Sequence, residues 1–204
     1  TRDITIDEDG KWEITFTTDE VKAGEYTTDV TITVSNDGGV ATATDKLIVD
    51  TIAKVTFDAD SVETDGTINL VEESDGFVLT GTTQAGSTVV VSFGGKDYTA
   101  TVTGEAWSLN VAADVIEKGE YDLNVSVKAT DTYGNTASTT GTVRVDTVTT
   151  VTIETSAVGN DGTVNADEHS AGVTVGGQAQ AGATVVVKAI SGGQTATQTV
   201  TATE

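Results

Sequence analysis

Two aspartates in this sequence stand where an alternating strand pattern ends, and each is followed by a threonine. Asp50 is the fifth residue of "KLIVDT" (46–51), and Asp146 is the fifth residue of "TVRVDT" (142–147). Carboxylates are hard oxygen ligands, and calcium takes about six to eight oxygens from carboxylates, amides and backbone carbonyls at roughly 2.3–2.6 Å. The chemistry open to these two positions is therefore the binding of a hard cation.

Other loops carry the same kinds of oxygen ligand. The segment "DTYGN" (131–135) holds an aspartate and an asparagine, and "DGTIN" (65–69) recurs as "DGTVN" (161–165). Aspartate and asparagine in β-loops also form turns by bonding their own backbone, so turn formation remains an alternative at these positions. The candidate calcium ligands are Asp50, Asp65, Asn69, Glu72, Asp131, Asn135, Asp146, Asp161, Asn165 and Glu168.

The overall composition narrows the choice of partner. The chain has 204 residues, no cysteine and a single histidine, which argues against thiol sites and histidine-based metal clusters. Its 32 acidic and 10 basic residues give a net charge of −22, so nucleic acid and anionic membranes are not expected partners. No apolar run reaches the roughly 18 residues of a membrane span, so direct membrane insertion is not expected either. Hard cations are the natural partners of so many carboxylates.

An internal repeat organises the chain. "QAGSTVVV" (84–91) recurs as "QAGATVVV" (180–187), an offset of 96 residues, and Trp12 recurs as Trp107, an offset of 95. Matches of this length identify a tandem array sampled over about two periods.

The repeat sets the predicted domain frame. With the joint at Val-Asp-Thr, residues 1–50 are the C-terminal half of one repeat, 51–146 are a complete repeat and 147–204 are the N-terminal half of the next. Two whole, permuted repeats are the alternative frame. In the first frame the half-repeats have open cores and unpaired strand edges. We expect them to be complete in a longer parent chain, and frayed or joined to a neighbouring molecule in this fragment alone.

Strand signals recur at short spacing through the complete repeat. Leu123, Val125 and Val127 alternate with polar residues, Phe77 and Leu79 also recur at a spacing of two, and turn residues separate such segments every 8–12 residues. About seven strands in one repeat predict an all-β fold of tandem immunoglobulin-like β-sandwich domains linked end to end.

Three local features of the repeat carry structural predictions. Trp107 is expected to anchor the core. Tyr121 follows Lys118-Gly119-Glu120 at the start of a long strand and is predicted to bond the preceding loop through its hydroxyl, as is Tyr26 in the earlier repeat. A short helical turn is allowed only within "ADVIEKGEY" (113–121).

The strand order predicts which candidate ligands meet. Successive loops of a seven-stranded sandwich alternate between its two ends, so Asp50 should meet the loop at 131–135 of the repeat that it introduces. Asp146 should likewise meet the segment at 58–73. Two carboxylates about 5 Å apart repel by about 1 kcal/mol in water and about 3 kcal/mol at an effective dielectric constant near 20. A bridging cation would therefore stiffen each joint.

The motifs "DGTIN", "AGSTVVV", "KGEY", "ATDTYGN" and "VRVDT" together resemble the bacterial immunoglobulin-like repeats of giant secreted adhesins, including RTX-type biofilm and ice-binding adhesins. The resemblance implies extender modules at the cell surface, with calcium at the domain junctions. It supports the linker role of Asp50 and Asp146 and the loop role of the other candidate ligands. The chain departs from such repeats by lacking a proline after Val-Asp-Thr, which leaves stiffness more dependent on metal.

The function expected from this sequence is that of a structural extender, or stalk, in a large extracellular adhesin. Its partners would be neighbouring repeats and calcium ions (Ca2+), and the adhesin's terminal ligand would lie outside this fragment. A ligand-binding module that holds a glycan or a receptor is the alternative. Catalysis is not expected, because no nucleophile is paired with a base in any motif.

Overall fold

The structure is a computed structural model that describes residues 4–155, 158 and 161–203. It divides into two compact units, Thr1–Asp146 and Thr147–Glu204. Within the described residues, no helix is long and apolar enough to cross a membrane. The predicted three-part frame stays a prediction, since the first unit includes both the predicted half-repeat 1–50 and the complete repeat 51–146.

The first unit begins with a long hairpin. Strands β1 (Glu25–Asn36) and β2 (Gly39–Asp50) pair antiparallel along their whole length, from Glu25 opposite Asp50 to Asn36 opposite Gly39. Alternating threonines and aliphatic residues give the hairpin one polar and one apolar face. The register places Asp50 at the open end of the hairpin, where the chain enters the next repeat.

The repeat at 51–146 is a two-sheet sandwich, as the sequence predicts. Its strands are β3 (Thr67–Asn69), β4 (Phe77–Thr82), β5 (Thr88–Phe93), β6 (Lys96–Thr99), β7 (Thr101–Thr103), β8 (Ala106–Val111), β9 (Glu120–Thr130) and β10 (Thr136–Asp146). One sheet has the strand order β3-β10-β9-β5-β6 and the other has the order β4-β8-β7. Strand β3 runs parallel to β10, and all other neighbours are antiparallel.

The eight strands differ from the predicted seven in three places. The strand predicted at Val55 and Phe57 is only an isolated bridge from Val55 to Thr83, β3 lies in a segment predicted to be a loop, and one predicted strand is divided. The chain after the turn at Gly94-Gly95 is interrupted at Ala100, so that β6 belongs to the five-stranded sheet and β7 belongs to the three-stranded sheet. Ala100 itself is buried. One predicted strand is therefore two short ones, each pairing with a different sheet.

The core lies between the two sheets and contains the residues whose alternation predicts it. Trp107 is 1% exposed, and its indole Nε1 donates a hydrogen bond of 2.9 Å to the Thr56 backbone oxygen. Gly81 lies so close to the indole that a Cβ there would come within 2.7 Å of Nε1. The other fully buried aliphatic side chains are Val62, Ile68, Leu79, Val89, Val91, Val125, Val127, Val143 and Val145.

The tyrosine predictions are confirmed. The Tyr121 hydroxyl donates to the Glu117 backbone oxygen at 2.7 Å, and the Tyr26 hydroxyl donates to the Lys22 backbone oxygen at 2.7 Å. Both tyrosines begin a long strand and tie it to the loop before it.

The prediction of helix was wrong in its location. Residues 113–121 contain no helix, because Asp114 has a φ of +56° and Gly119 a φ of +157°, and neither value fits a right-handed helix. A 3-10 helix lies instead at Ala59–Thr64, and α-helix α1 lies at Leu70–Asp75. Helix α1 is stabilised at its N-terminus by a capping box, which Asn69 and Glu72 form.

The second unit has fewer elements. Helix α2 (Ala166–Ala171) is followed by a hairpin of β11 (Thr184–Ser191) and β12 (Gln194–Thr201). Isolated bridges join Val151 to Ala179 and Glu154 to Gly176. These elements repeat the order of α1, β5 and β6 in the complete repeat.

Candidate metal centre

The first candidate centre lies where β2 ends and the loop between β9 and β10 turns back. Asn135 donates from its side-chain nitrogen Nδ2 to the backbone oxygen of Asp50 at 3.2 Å and to Asp50 Oδ1 at 3.2 Å. The same nitrogen donates to Asp131 Oδ2 at 2.8 Å. The structure thus brings together the three residues that the strand order predicts to meet at this joint.

The loop at 131–135 is preorganised by its own hydrogen bonds. Asp131 Oδ1 accepts from the backbone nitrogens of Tyr133 at 2.9 Å and Asn135 at 2.8 Å, and the Asp131 nitrogen donates to the Asn135 oxygen at 3.0 Å. Gly134 has a φ of +91°, a conformation that glycine adopts without strain. Asp131 is only 8% exposed, so its carboxylate is held in one orientation beneath the joint.

This arrangement fits a hard cation. Three oxygens from two distant chain segments surround the Asn135 side-chain nitrogen. A cation would bind at the position of that nitrogen. Oxygen and nitrogen of a side-chain amide exchange places by a half-turn about the last side-chain bond. After that turn the centre offers only oxygens: the Asp131 carboxylate, the Asp50 carboxylate, the Asp50 carbonyl and the Asn135 amide oxygen. Calcium prefers such a donor set.

The ionisation of Asp131 is suited to this role. Burial raises the pKa of the Asp131 carboxyl, but hydrogen bonds from Asn135, Tyr133 and Gly134 outweigh it and hold the pKa below its ordinary value of 3.8. The carboxylate is therefore charged at neutral pH and remains so into moderately acidic solution.

Two further contacts hold the same joint. Thr51 donates its backbone nitrogen to the Gly24 oxygen at 3.0 Å, and its hydroxyl accepts from the Gly24 nitrogen at 2.8 Å. Lys54 Nζ lies 3.3 Å from Glu25 Oε2. The sequence analysis missed these contacts, although Glu25 and Lys54 carry opposite charges on either side of Asp50.

The second predicted centre surrounds Asp146, at the opposite end of the sandwich. Parallel pairing of β10 with β3 places Asp146 opposite Asn69. This agrees with the predicted meeting of Asp146 and the segment at 58–73. Antiparallel pairing with β9 places Glu120 on its other side. Asn69, Asp146 and Glu120 thus lie side by side on three neighbouring strands, and Asp146 and Glu120 are acidic.

The remaining candidates near Asp146 make local hydrogen bonds. Asn69 Oδ1 accepts from the Val71 and Glu72 nitrogens, and Glu72 Oε2 accepts from the Asn69 nitrogen at 2.9 Å. Asp65 Oδ1 accepts from the Thr67 nitrogen at 2.9 Å. These are turn and capping contacts, the alternative that the sequence left open, and the metal role of the three residues stays a prediction.

The second unit repeats this local geometry. Asp161 Oδ1 accepts from the Thr163 nitrogen at 2.8 Å, and Asn165 and Glu168 form the capping box of α2. The metal role of these three residues also stays a prediction. The signal for both boxes is present in the sequence as Asn-x-x-Glu.

No three carboxylate, imidazole or thiol side chains converge on a common point within residues 4–155, 158 and 161–203. The centre at Asp50 has two carboxylates, and its other donors are an amide and a backbone carbonyl. The all-oxygen set therefore depends on Asn135 as much as on the acids.

The sequence gives no signal for an ion pair between a half-exposed lysine, Lys118, and a buried glutamate, Glu73. Glu73 is 1% exposed, and Lys118 Nζ lies 3.4 Å from its Oε2 and 3.5 Å from Asp114 Oδ1. Glu73 and then Asp114 raise the pKa of Lys118. Because this lysine already neutralises Glu73, the pair is a structural contact that ties α1 to the loop before β9.

Comparisons with known proteins give matches among solved structures. No protein-family model matches the chain, and no curated protein matches it. One matching structure is a Ca2+-stabilized adhesin that helps an Antarctic bacterium reach out and bind ice. It is 31% identical over 97% of this chain and 51% of its own, with a TM-score of 0.42.

Two other matches have the same character. A 1.5-MDa bacterial ice-binding adhesin is 31% identical over 87% of this chain and 61% of its own, with a TM-score of 0.46. A bacterial immunoglobulin-like domain from the M. primoryensis ice-binding adhesin is 30% identical over 47% of this chain and 99% of its own, with a TM-score of 0.34. The chain spans about half the length of the first of these structures and about three fifths of the second. All three TM-scores lie below 0.5, so the family assignment rests on sequence identity. That identity is 30% over 99% of the immunoglobulin-like domain.

Proposed function

We propose that this chain, which belongs to the family of bacterial immunoglobulin-like domains of large adhesins, is a stalk segment whose joints are stiffened by calcium. Its role is mechanical rather than catalytic: it spaces an adhesive part of a longer protein away from the cell surface. The location is extracellular, the partners are neighbouring repeats, and the terminal ligand lies outside this fragment.

The observation that carries the proposal is the contact of Asn135 with Asp50 and Asp131. Asp50 ends one repeat, whereas Asp131 and Asn135 belong to the loop of the next. Fixing these three side chains to each other fixes the angle between the hairpin of β1 and β2 and the following sandwich. The contacts of Thr51 with Gly24 and of Lys54 with Glu25 cross the same joint, but Asp50, Asp131 and Asn135 alone among these residues form a set of oxygen ligands that a cation could tighten.

Asp50, Asp131 and Asn135 would hold the ion at this joint, and a bound calcium would supply the positive charge that two carboxylates need. In its absence the Asn135 amide alone separates the two carboxylates, through hydrogen bonds of 2.8–3.2 Å. Hydrogen bonds to charged carboxylates contribute about 1.5–3 kcal/mol each, so the amide contacts already hold the joint in part. Free calcium at a concentration 100 times its Kd would stabilise the bound state by about 2.7 kcal/mol. The joint is therefore expected to be more mobile without calcium than with it.

The joint at Asp146 is proposed to work in the same way. Asp146 lies beside Asn69. Asp65 and Glu72 are close to Asn69 in sequence. Asp161, Asn165 and Glu168 occupy the equivalent places of the next repeat. These residues are proposed as ligands of later joints, and their capping contacts fix the loops that would present them.

Calorimetric titration with calcium tests the proposal. The wild-type chain in chelator-treated buffer should bind calcium, and Asp131→Asn should weaken the binding at the first joint at least tenfold, because it removes one of two carboxylates. Asp122→Asn is the matched control: it removes one charge from an exposed carboxylate of β9 and should leave the affinity unchanged. Equal affinities for the wild type and both variants would rule out the proposed site.

A further inference from the structure

An ion pair crosses the joint at Asp50, from the complete repeat back to the hairpin of β1 and β2. Lys54 Nζ lies 3.3 Å from Glu25 Oε2. Glu25 is the first residue of β1, whereas Lys54 belongs to the complete repeat. Both side chains are at least half exposed, and an exposed ion pair by itself stabilises a protein little. Its effect at this joint therefore depends on what surrounds the two charges.

The Glu25 carboxylate faces a like charge. The register of the hairpin places Glu25 directly opposite Asp50. At the next position Thr51 donates its backbone nitrogen to the Gly24 oxygen, so Glu25 and Asp50 form a narrow pair without hydrogen bonds, in which side chains approach most closely. Like charges directly opposite each other destabilise a pair of strands. The Lys54 ammonium thus neutralises a carboxylate that would otherwise repel Asp50.

The backbone of Lys54 is fixed on both sides. Its nitrogen donates to Gln84 Oε1 at 3.0 Å, and its carbonyl oxygen accepts from the Thr83 hydroxyl at 3.0 Å. Thr83 is itself buried. Because the chain that carries the lysine is already ordered, the ion pair costs only the freedom of the two side chains.

The next repeat keeps the carboxylate but changes the cation. Glu25 recurs as Glu120 at an offset of 95, whereas Lys54 recurs as Thr150 at an offset of 96. Glu120 accepts a hydrogen bond from Arg144, which lies on the neighbouring strand β10 of the same sheet. A threonine carries no charge, so residue 150 cannot form the ion pair that Lys54 forms.

We propose that Lys54 and Glu25 form an ionic latch that holds the joint at Asp50 when calcium is absent. The latch joins two repeats through charge, and it makes this joint less dependent on metal than a joint with threonine at the same place. It favours the fixed joint over the mobile one by about twofold to fivefold, the range of an exposed ion pair. The latch does not rest on the proposed calcium site, because it uses no metal.

Exchanging the two charges in chelator tests the latch. Nitroxide labels at Asp45→Cys and Ser138→Cys report the spread of distances across the joint by double electron–electron resonance. Lys54→Thr, which copies the next repeat, should broaden the distribution and lower the ratio of fixed to mobile joints by about twofold to fivefold. Lys54→Glu and Glu25→Lys should each broaden it as well. The double variant, with Glu25→Lys and Lys54→Glu, should restore the wild-type width because it reforms the pair in reverse.

A matched control and a salt series complete the test. Lys96→Thr removes one positive charge from an exposed residue at the start of β6 and should leave the width unchanged. The Debye length falls from about 30 Å at about 0.01 M salt to about 3 Å at about 1 M, so the difference between the wild type and Lys54→Thr should disappear at high salt. A difference that persists there would show that the lysine acts by packing and would overturn the proposal. Equal widths for these two chains at low salt would overturn it too, as would a double variant as broad as the single ones.

Discussion

The side-chain amide of Asn135 donates to both the backbone oxygen and the carboxylate of Asp50, which is 85 positions earlier in the chain. The contact joins the end of one repeat to a loop of the next. It lies at the only kind of position in a tandem array where a few side chains can control the angle between neighbours. The amide nitrogen also occupies the point where several oxygens converge.

Replacing Asn135 by aspartate tests whether a cation binds among these oxygens. Asn135→Asp puts a third carboxylate where an N–H donor lies, so in chelator the thermal midpoint of the first unit should fall by about 5 °C. Calcium should reverse the fall, because the variant offers one more anionic oxygen. Differential scanning calorimetry with calcium and with chelator measures both effects. A variant that is destabilised equally in the two buffers would show that no cation binds among these oxygens.

The contact should respond to acid at a pH set by Asp131. Its folded-state pKa is below 3.8, so its contribution to stability is fully present above that value and is lost as the pH falls through the folded pKa. In calcium-free solution, the NMR signals of the Asn135 side-chain amide should titrate with a midpoint below 3.8. Asp131→Asn should remove the part of this titration that is due to Asp131. A midpoint at or above 3.8 would mean that the loop hydrogen bonds do not stabilise the carboxylate.

The ion pair of half-exposed Lys118 with buried Glu73 predicts a stability effect that is separate from calcium. Lys118→Met leaves the Glu73 carboxylate buried without its cation, so the loss in free energy of unfolding should exceed the roughly 0.5 kcal/mol of an ordinary surface substitution. Adding Glu73→Gln should restore part of the loss, since the variant then buries no charge. Chemical denaturation measures the double-mutant cycle. Simple additivity of the two substitutions would contradict the coupling.

The two tryptophans should differ in their contributions to stability. Trp107→Ala removes a fully buried side chain and its hydrogen bond to Thr56, and should cost the sandwich at 51–146 about 3–5 kcal/mol. Trp12→Ala removes an equivalent residue that is 45% exposed, and should change the same transition by less than about 1 kcal/mol. Urea denaturation of dilute protein gives both values. Similar losses would mean that residues 4–50 fold as one unit with that sandwich.

Much of the fold follows from the sequence because the pattern of alternation is strong. Leu123, Val125 and Val127 alternate with polar residues, and all three are buried. The repeat then places Asp50 and the loop at 131–135 at one end of the sandwich, where topology alone brings them together. The orientation of the Asn135 amide could not be predicted, since it depends on a single torsion angle.

The remaining candidates show where the sequence pattern leaves two interpretations open. Asn69 and Glu72 are candidate oxygen ligands, and in the structure their side-chain oxygens accept backbone N–H groups at the start of α1. An Asn-x-x-Glu segment satisfies either reading, and only the three-dimensional path of the chain distinguishes them. The pair of Glu73 and Lys118 has no sequence signal at all, because distant segments bring it together.

The central claim concerns the stiffness of the joint at Asp50, and a distance distribution across it is the most direct measurement. The chain has no native cysteine, so Asp45→Cys and Ser138→Cys can carry nitroxide labels on either side of the joint. Double electron–electron resonance on labelled chains diluted with unlabelled ones should give a broad distribution in chelator and a narrow one in calcium. Asp131→Asn in the same background should keep the distribution broad in both. Equal widths with calcium and with chelator in the wild-type background would contradict the account.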